Sequence, residues 1–266
     1  MRRSRSAIDV VSMLTLAAIV LGVAGQSVIA ASGASAASAK KGVDADADRM
    51  LKQMTDHLAG LQSFTVQSSS IDEATMKSGE KIQATSDLDV AVQRPNRLRS
   101  TQRGAGDRLS LWYDGKTMTL ACKESNTYET AEAAPTIDGT IDKMRKDFKI
   151  DAPGADLLYS KPYDILMEQV VSGRFVGRET IDGVAANHLA FRGEQVDFQL
   201  WIEDGARPVP LRFVITTKDV KGSPEFSVQL SNWNTKPKLS DAMFAFQAPT
   251  GAKPDKSVAK SCGVFQ

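Results

Sequence analysis

Arg108-Leu109-Ser110-Leu111-Trp112-Tyr113-Asp114-Gly115-Lys116-Thr117-Met118-Thr119-Leu120 reads as a β-hairpin from residue types alone. Asp-Gly between two alternating runs favours a two-residue type I′ turn, because both central residues of that turn need positive φ. Such a turn sets Tyr113 opposite Lys116. Counting back along the ladder pairs Trp112 with Thr117, Leu111 with Met118, Ser110 with Thr119 and Leu109 with Leu120. Leu109, Leu111, Tyr113, Met118 and Leu120 then share one face, and Ser110, Trp112, Thr117 and Thr119 the other. An apolar face of this width needs a cover, and both a packed core and a bound apolar ligand satisfy the local sequence.

Outward from the hairpin, the period of the apolar residues changes three times. Asp44 to Asp48 lead into an amphipathic helix with Met50, Leu51, Met54, Leu58 and Leu61 at helical spacing, ended by Gly60. From Phe64 to Thr130 the period is two: Phe64 and Val66, then Leu88, Val90 and Val92, then Leu98, the hairpin, and a strand near Tyr128. Between Thr136 and Val171 helical spacing returns through Ile137, Ile141, Met144 and Phe148, then Leu157-Leu158, then Ile165, Leu166 and Val170. Pro153 and Pro162 cut this stretch into pieces.

After Gly173 the strands resume: Phe175 to Ile181, a turn at Asp182-Gly183, Val184 to Phe191, Val196 to Ile202, a turn at Asp204-Gly205, Val209 to Thr217, and Phe226 to Trp233. Val196, Phe198, Leu200 and Ile202 face one way, answered by Val209, Leu211, Phe213 and Ile215 and then by Phe226, Val228 and Leu230. The pattern predicts an α+β fold. One curved antiparallel sheet forms an unclosed β-barrel, its apolar side covered by the N-terminal helix and by a central helical lid. The strands before and after the lid are expected in one continuous surface. Residues 48–252 therefore read as a single domain with a helical insert at about 136–171, and 253–266 as a C-terminal tail without hydrophobic periodicity.

Residues 1–39 read as an export signal: Arg2, Arg3 and Arg5, an apolar run from about Val10 to Val23, and an Ala/Ser-rich stretch with small residues at Ala30, Ala36 and Ala39 for cleavage. The run is shorter than the roughly 20 residues of a membrane span, so the mature chain is expected to be periplasmic, soluble and without an anchor. The whole chain has 33 Lys and Arg against 32 Asp and Glu. Without residues 1–39, which hold three Arg and one Asp, the formal charge moves from +1 to about −1. That balance argues against nucleic acid as a partner. Cys122 and Cys262 would meet an oxidising compartment, and whether they pair stays open.

The order of helix, strands, Trp112-Tyr113-Asp114-Gly115-Lys116 hairpin, helical insert, strands with Trp201-Ile202-Glu203 and Pro208-Val209-Pro210-Leu211, Asn232-Trp233-Asn234, and Phe244-Ala245-Phe246-Gln247-Ala248-Pro249-Thr250-Gly251-Ala252 resembles the periplasmic lipoprotein-carrier (LolA/LolB-like) superfamily. More closely, it resembles an uncharacterised group of predicted periplasmic proteins placed in that superfamily. The resemblance spans about residues 48 to 252. It implies a cavity between an unclosed barrel and a helical lid that holds acyl chains. In the carrier an Arg helps gate the lid, and no position here matches it from sequence.

The expected function is therefore a non-enzymatic carrier or binder of a lipophilic, acyl-chain or lipoprotein-type ligand. The strand residues Leu109, Leu111, Met118, Leu120, Phe198, Leu200, Leu211 and Phe213 are the candidates for the cavity walls. Ile141, Met144, Phe148 and Leu166 are the candidates for its lid. Met and aliphatic residues accommodate variable chains because they make no directional demands. The same residues would also make an ordinary core. The alternative is a domain on the same fold that binds an envelope protein or senses envelope stress.

No Gly-x-Ser-x-Gly elbow, phosphate-binding Gly loop or dinucleotide fingerprint is present, so the sequence supports neither an enzyme nor a cofactor. His57 and His188 lack partners at metal-ligand spacing. Asp44, Asp46 and Asp48 imitate the start of a Ca²⁺ loop, but the Gly and the distal Glu are missing, and an acidic helix start accounts for them. Arg94, Arg97, Arg99, Arg103 and Arg108 cluster within fifteen residues, with Asp107 the only acid among them. Arg97, Arg99 and Arg103 share strand parity and could meet an anionic partner. A solvated outer face balanced by Asp87 and Asp89 is the plainer reading.

Overall fold

The computed structural model describes residues 42–104, 109–150 and 152–262; residues 1–39, read from the sequence as an export signal, and Asp107 and Arg108 lie outside the described residues. Helix α1 (Ala45–Gly60) follows Asp44 and carries Asp46 and Asp48 in its first turn, where carboxylates favour the positive end of the helix dipole. Leu51, Met54 and Leu58, at helical spacing, are all but fully buried on its inner face, each such burial worth about 1.5–3 kcal/mol.

Twelve strands among the described residues form one sheet: β1 (Ser63–Thr75), β2 (Lys81–Gln93), β3 (Arg97–Gln102), β4 (Leu109–Tyr113), β5 (Thr117–Cys122), β6 (Thr127–Glu132), β7 (Val170–Ile181), β8 (Val184–Gly193), β9 (Val196–Glu203), β10 (Pro210–Thr217), β11 (Glu225–Asn234) and β12 (Lys253–Pro254). Their order is β12-β6-β5-β4-β3-β2-β1-β11-β10-β9-β8-β7. Neighbours are antiparallel except β12 beside β6. β1 pairs with β11, so the strands before and after the lid are one surface as expected, and the edge strands β7 and β12 leave the barrel unclosed. Residues 42–44 cover the β7 edge, with Asp44 N–H donating to the Gly173 carbonyl at 2.9 Å and Gly173 N–H to Gly42 at 3.1 Å.

The opening hairpin forms in a different register from the one expected. Tyr113 pairs with Met118, Leu111 with Leu120 and Leu109 with Cys122, and the chain reverses over Asp114 to Thr117. Asp114 is the cause. Its Oδ1 accepts from the amides of Lys116 at 2.9 Å and Thr117 at 2.8 Å, so the carboxylate closes a wider turn in which only Gly115 takes a positive φ, of 95°. Each partner moves by two positions. An even slip preserves the alternation, so the expected faces survive a wrong ladder. The Asp182-Gly183 turn does form, with φ of 49° and 81° and Ile181 opposite Val184. The expected tight turn at Asp204-Gly205 is instead a loop over residues 204–209, closed by Glu203 N–H donating to Val209 at 2.9 Å.

The helical insert is shorter than expected. It consists of α2 (Ile137–Lys143), a π turn (Met144–Phe148), a 3₁₀ turn (Ala155–Leu158) and α3 (Pro162–Met167). Val170, which continues the helical spacing of Ile165 and Leu166, is already the first residue of β7 and pairs with Gly193. Its β-branched side chain suits the ladder.

Two apolar clusters line the concave side. Under α1, Leu51, Met54 and Leu58 pack with Leu189, Phe191, Phe198, Leu200 and Phe213. Phe191 and Phe198 stack with centroids 4.8 Å apart. Under the lid, Phe64, Val92, Tyr113, Met118 and Leu120 pack with Ile137 and Ile141.

The chain after β11 crosses the outer face. Asp241 pairs with Arg97, Phe244 is buried, and the Phe246 ring lies 5.0 Å from Trp112 and 5.1 Å from Tyr128. Helix α4 (Val258–Ser261) then inserts a fully buried Val258 into the cluster under the lid. The structure joins Cys262 to Cys122, at the end of β5, in a disulfide. No helix of the described residues is long and apolar enough to cross a membrane.

Candidate functional site

The lid is fixed to the sheet and to itself by polar contacts that a pattern of apolar residues does not reveal. Thr136 caps α2 by accepting from the Gly139 amide at 3.2 Å. Arg145, on the π turn, donates to the Tyr159 hydroxyl at 3.0 Å and to Asp156 at 2.8 Å, and Tyr159 donates to Asp142 at 2.6 Å. Burial, together with the Asp142 bond, pushes the Tyr159 phenol far above its ordinary pKa, so it stays a donor. From the sheet, Arg94 reaches across to donate to the main-chain carbonyls of Leu158 and Tyr159. Buried Asp48 of α1 accepts from the Tyr163 hydroxyl of α3, and Asp44 from the Phe175 amide at 3.3 Å. The N-terminal acids thus serve separate links between elements.

Beneath the lid lies a cavity of about 580 Å³. Its floor is built from β1 to β5 and β11, with Phe64, Val66, Val90, Leu98, Leu230 and Trp233 inward; Ile141, Met144, Leu157 and Leu158 face them from the lid. Ala259 and Cys262 close one side, so the disulfide that holds α4 also completes a wall. The lid elements are short and stand off from the sheet, whereas α1 presses three large side chains into the sheet beside it. Space therefore remains on one half of the concave face.

The structure sorts the sequence candidates accordingly. Leu109, Leu111, Leu120, Ile141 and Met144 line the cavity together. Met118 is buried in the cluster behind it, and Phe148 packs half-buried against that cluster without lining the cavity. Leu166, Phe198, Leu200 and Phe213 belong to the solid core against α1. Leu211 belongs to the same core and borders a smaller cavity of about 210 Å³ that shares Leu230 and Trp233 with the larger one.

Of the arginines, Arg97 pairs with Asp241, and Arg103 lies 3.5 Å from Asp87 and 3.8 Å from Asp89. Arg99 stands opposite Trp112 on the same outer face. Two of the three cations thus have acids beside them.

Residues the sequence reading passed over are Arg94 as the lid's anchor, Trp233, and a set of inward serines: Ser68 and Ser70 on β1, Ser86 on β2 and Ser100 on β3. The signal for Ser68 and Ser70 was available, since they continue the parity of Phe64 and Val66.

On the outer face, His188 stacks on Trp201 at 4.0 Å and contacts Glu179 through Nδ1 at 2.7 Å and Gln199 through Nε2 at 2.9 Å. Trp201 Nε1 donates to the second Glu179 oxygen at 2.8 Å. Hydrogen bonds from Trp201 and His188 hold the Glu179 carboxyl below its ordinary pKa. Among the described residues no three His, Cys, Asp or Glu stand together as a metal site.

Among curated proteins, none matches the sequence. Among solved structures the chain is similar to LprF from Mycobacterium bovis, with 18% identity, 74% of this chain and 97% of that chain covered, and a TM-score of 0.45. It is similar to a LolA superfamily protein from Nitrosomonas europaea, with 12% identity, 75% and 97% covered, and a TM-score of 0.40. It is also similar to the MucA/MucB complex structure of Pseudomonas aeruginosa, with 16% identity, 76% and 62% covered, and a TM-score of 0.43. Residues 47–254 match the family described as predicted periplasmic protein (DUF2092), and the chain belongs to that family.

Proposed function

We propose that this protein is a non-enzymatic periplasmic binder or carrier of a lipophilic ligand whose alkyl part occupies the cavity under the lid. The cavity itself carries the reading. Protein interiors hold few voids larger than a water molecule, so a space of about 580 Å³ is a built feature. It falls within the roughly 300–1,000 Å³ of small-molecule sites. Its walls are mostly aliphatic, with Met144 and Trp233 adding adaptable and broad apolar contact. Each methylene buried there gains about 0.8 kcal/mol. The lid is held to the sheet by Arg94, to itself by the Arg145 network, and to α1 by the Tyr163 bond to Asp48 and the packing of Leu166.

The test is purification of the protein from its own envelope, followed by native mass spectrometry and organic extraction. A co-purifying lipid, displaced by an added acyl compound, is the expected result. A protein that carries no lipid and takes none up from vesicles would sink the reading. Specific capture of a membrane-anchored envelope protein by such a lipid-free chain would favour an interaction or stress-sensing domain instead.

A further inference from the structure

We infer that the cavity recognises an amphiphile bearing an uncharged hydrogen-bonding group, an alcohol, ester or amide, which sits on a rib of hydroxyls, Ser68, Ser70 and Ser86, in the middle of the cavity floor. This rests on the binder reading above and narrows it to a ligand class.

The inward positions of β1 run Phe64, Val66, Ser68, Ser70, Asp72, so the strand passes from apolar through hydroxyl to charged in one direction. The neighbouring strands keep the rib in place. Ser68 pairs with Leu88 on one side and Leu230 on the other, and Ser70 with Ser86 and Val228. Ser70 donates to the Ser86 carbonyl and Ser86 Oγ to Gln102, both at a long 3.4 Å. Ser68 is only 8% exposed and lines the cavity, and no side-chain hydrogen bond of the described residues engages its hydroxyl. That oxygen is not among the fully buried atoms left without a partner, so it is open to what occupies the cavity, whereas Ala in its place would offer no such group. A hydrogen-bonding group delivered through the cavity supplies it with a partner.

The same geometry disfavours a charged group at the rib. The three hydroxyls bring no formal charge, and an ion set among Leu88, Val228 and Leu230 would lose its hydration without a counter-charge on the rib. Of the charged liners, Arg145 and Lys149 lie on the lid, where they donate to Asp156 at 2.8 Å and to the Lys146 carbonyl at 2.6 Å; along β1, Asp72 is the next inward position beyond the rib and Glu73 is bound to Lys81 at 2.7 Å. In the other direction the four residues from Ser68 back to Phe64 cover roughly 13 Å, close to the ~15 Å that one leaflet contributes to a ~30 Å hydrocarbon core. The tail of an ordinary bilayer amphiphile fits that end, which Phe64 and Trp233 close with their rings 5.5 Å apart.

The test compares hexadecane, hexadecanol and ionised hexadecanoate, delivered from cyclodextrin and measured by displacement of a fluorescent probe. The wild-type protein is expected to bind the alcohol roughly tenfold more tightly than the alkane, the factor of one well-made buried hydrogen bond, and more tightly than the carboxylate. The triple variant Ser68→Ala, Ser70→Ala, Ser86→Ala should bring the alcohol down to the alkane's affinity. Its unchanged alkane affinity shows that the cavity still forms. Equal binding of alkane and alcohol, a preference that survives in the triple variant, or tighter binding of the carboxylate overturns the rib while leaving the cavity reading intact. Failure of all three probes to bind overturns both.

Discussion

Arg94, between β2 and β3, donates from Nη1 to the Leu158 carbonyl at 2.8 Å and from Nη2 to the Tyr159 carbonyl at 3.4 Å. One side chain of the sheet therefore holds the main chain of the lid. Arg94→Ala should cost about 1–3 kcal/mol, the range for charge-assisted bonds that lose their donor. Amide exchange over residues 155–160 should quicken while exchange in α1 does not. Arg94→Lys should restore only part, because an ammonium cannot fork between two carbonyls. Unchanged exchange in the Ala variant would show that the lid is held elsewhere.

The two halves of the concave face should answer differently to substitution. Leu200→Ala, in the solid core under α1, should lower stability by about 2–5 kcal/mol. Ile141→Trp adds bulk where there is space, and should reduce ligand uptake at least tenfold with a much smaller loss of stability. Urea melts and probe binding on both variants check this, and a stability loss at Ile141→Trp equal to that at Leu200→Ala would contradict it.

The Cys122 to Cys262 disulfide closes a loop of sequence separation 140. Reduction, or Cys122→Ser with Cys262→Ser, should lower stability by about 2–5 kcal/mol. Because Cys262 and Ala259 form a cavity wall, the same treatment should also speed ligand exchange. Denaturation and ligand off-rates with and without reductant measure both effects, and a loss of stability without faster exchange would show that α4 stays seated unaided.

Glu179 provides a pH test. Its carboxyl is held below its ordinary value near 4.5 by hydrogen bonds from Trp201 and then His188. The sign follows from linkage: with the folded pKa below the unfolded one, the contribution is full above the unfolded value and disappears as pH falls through the folded value. Thermal melts between about pH 6 and about pH 3 should show wild type losing more than Glu179→Gln over that window, with Trp201 fluorescence as a local report. Parallel profiles for the two proteins would contradict it.

The architecture was legible because burial on one side of a sheet leaves a period of two, and α1 a period near four. That logic tolerated an error of ladder at Asp114, since a slip of two keeps Leu109, Leu111 and Leu120 on the concave face. The pattern could not distinguish Leu120, which lines a cavity, from Leu200, which fills a core, because both are buried aliphatic side chains on the same side of the sheet. The difference lies in what covers them: a long regular helix over one, short stand-off turns over the other. Ser68 and Ser70 escaped notice because alternation was followed by polarity, and β1 keeps its pleat for seven residues past Ser68 while its inward side chains turn polar. The Cys pairing was illegible for another reason. It joins a strand to a segment with no pattern of its own.

The seam between β1 and β11 brings Ser68 beside Leu230, neighbours in the sheet although most of the chain lies between them. Contacts of such separation are slow to form, since a long loop must close before any of them is made. Until Glu225–Asn234 is available, β1 has an unsatisfied edge in what will become the middle of the sheet, and Phe64 and Val66 have no finished floor around them. A chain threaded N-terminus first through a membrane would meet its destination compartment with that central edge open for nearly the whole passage. Its yield should then depend on helpers that shield exposed strands during transit, more than on the stability of the finished fold.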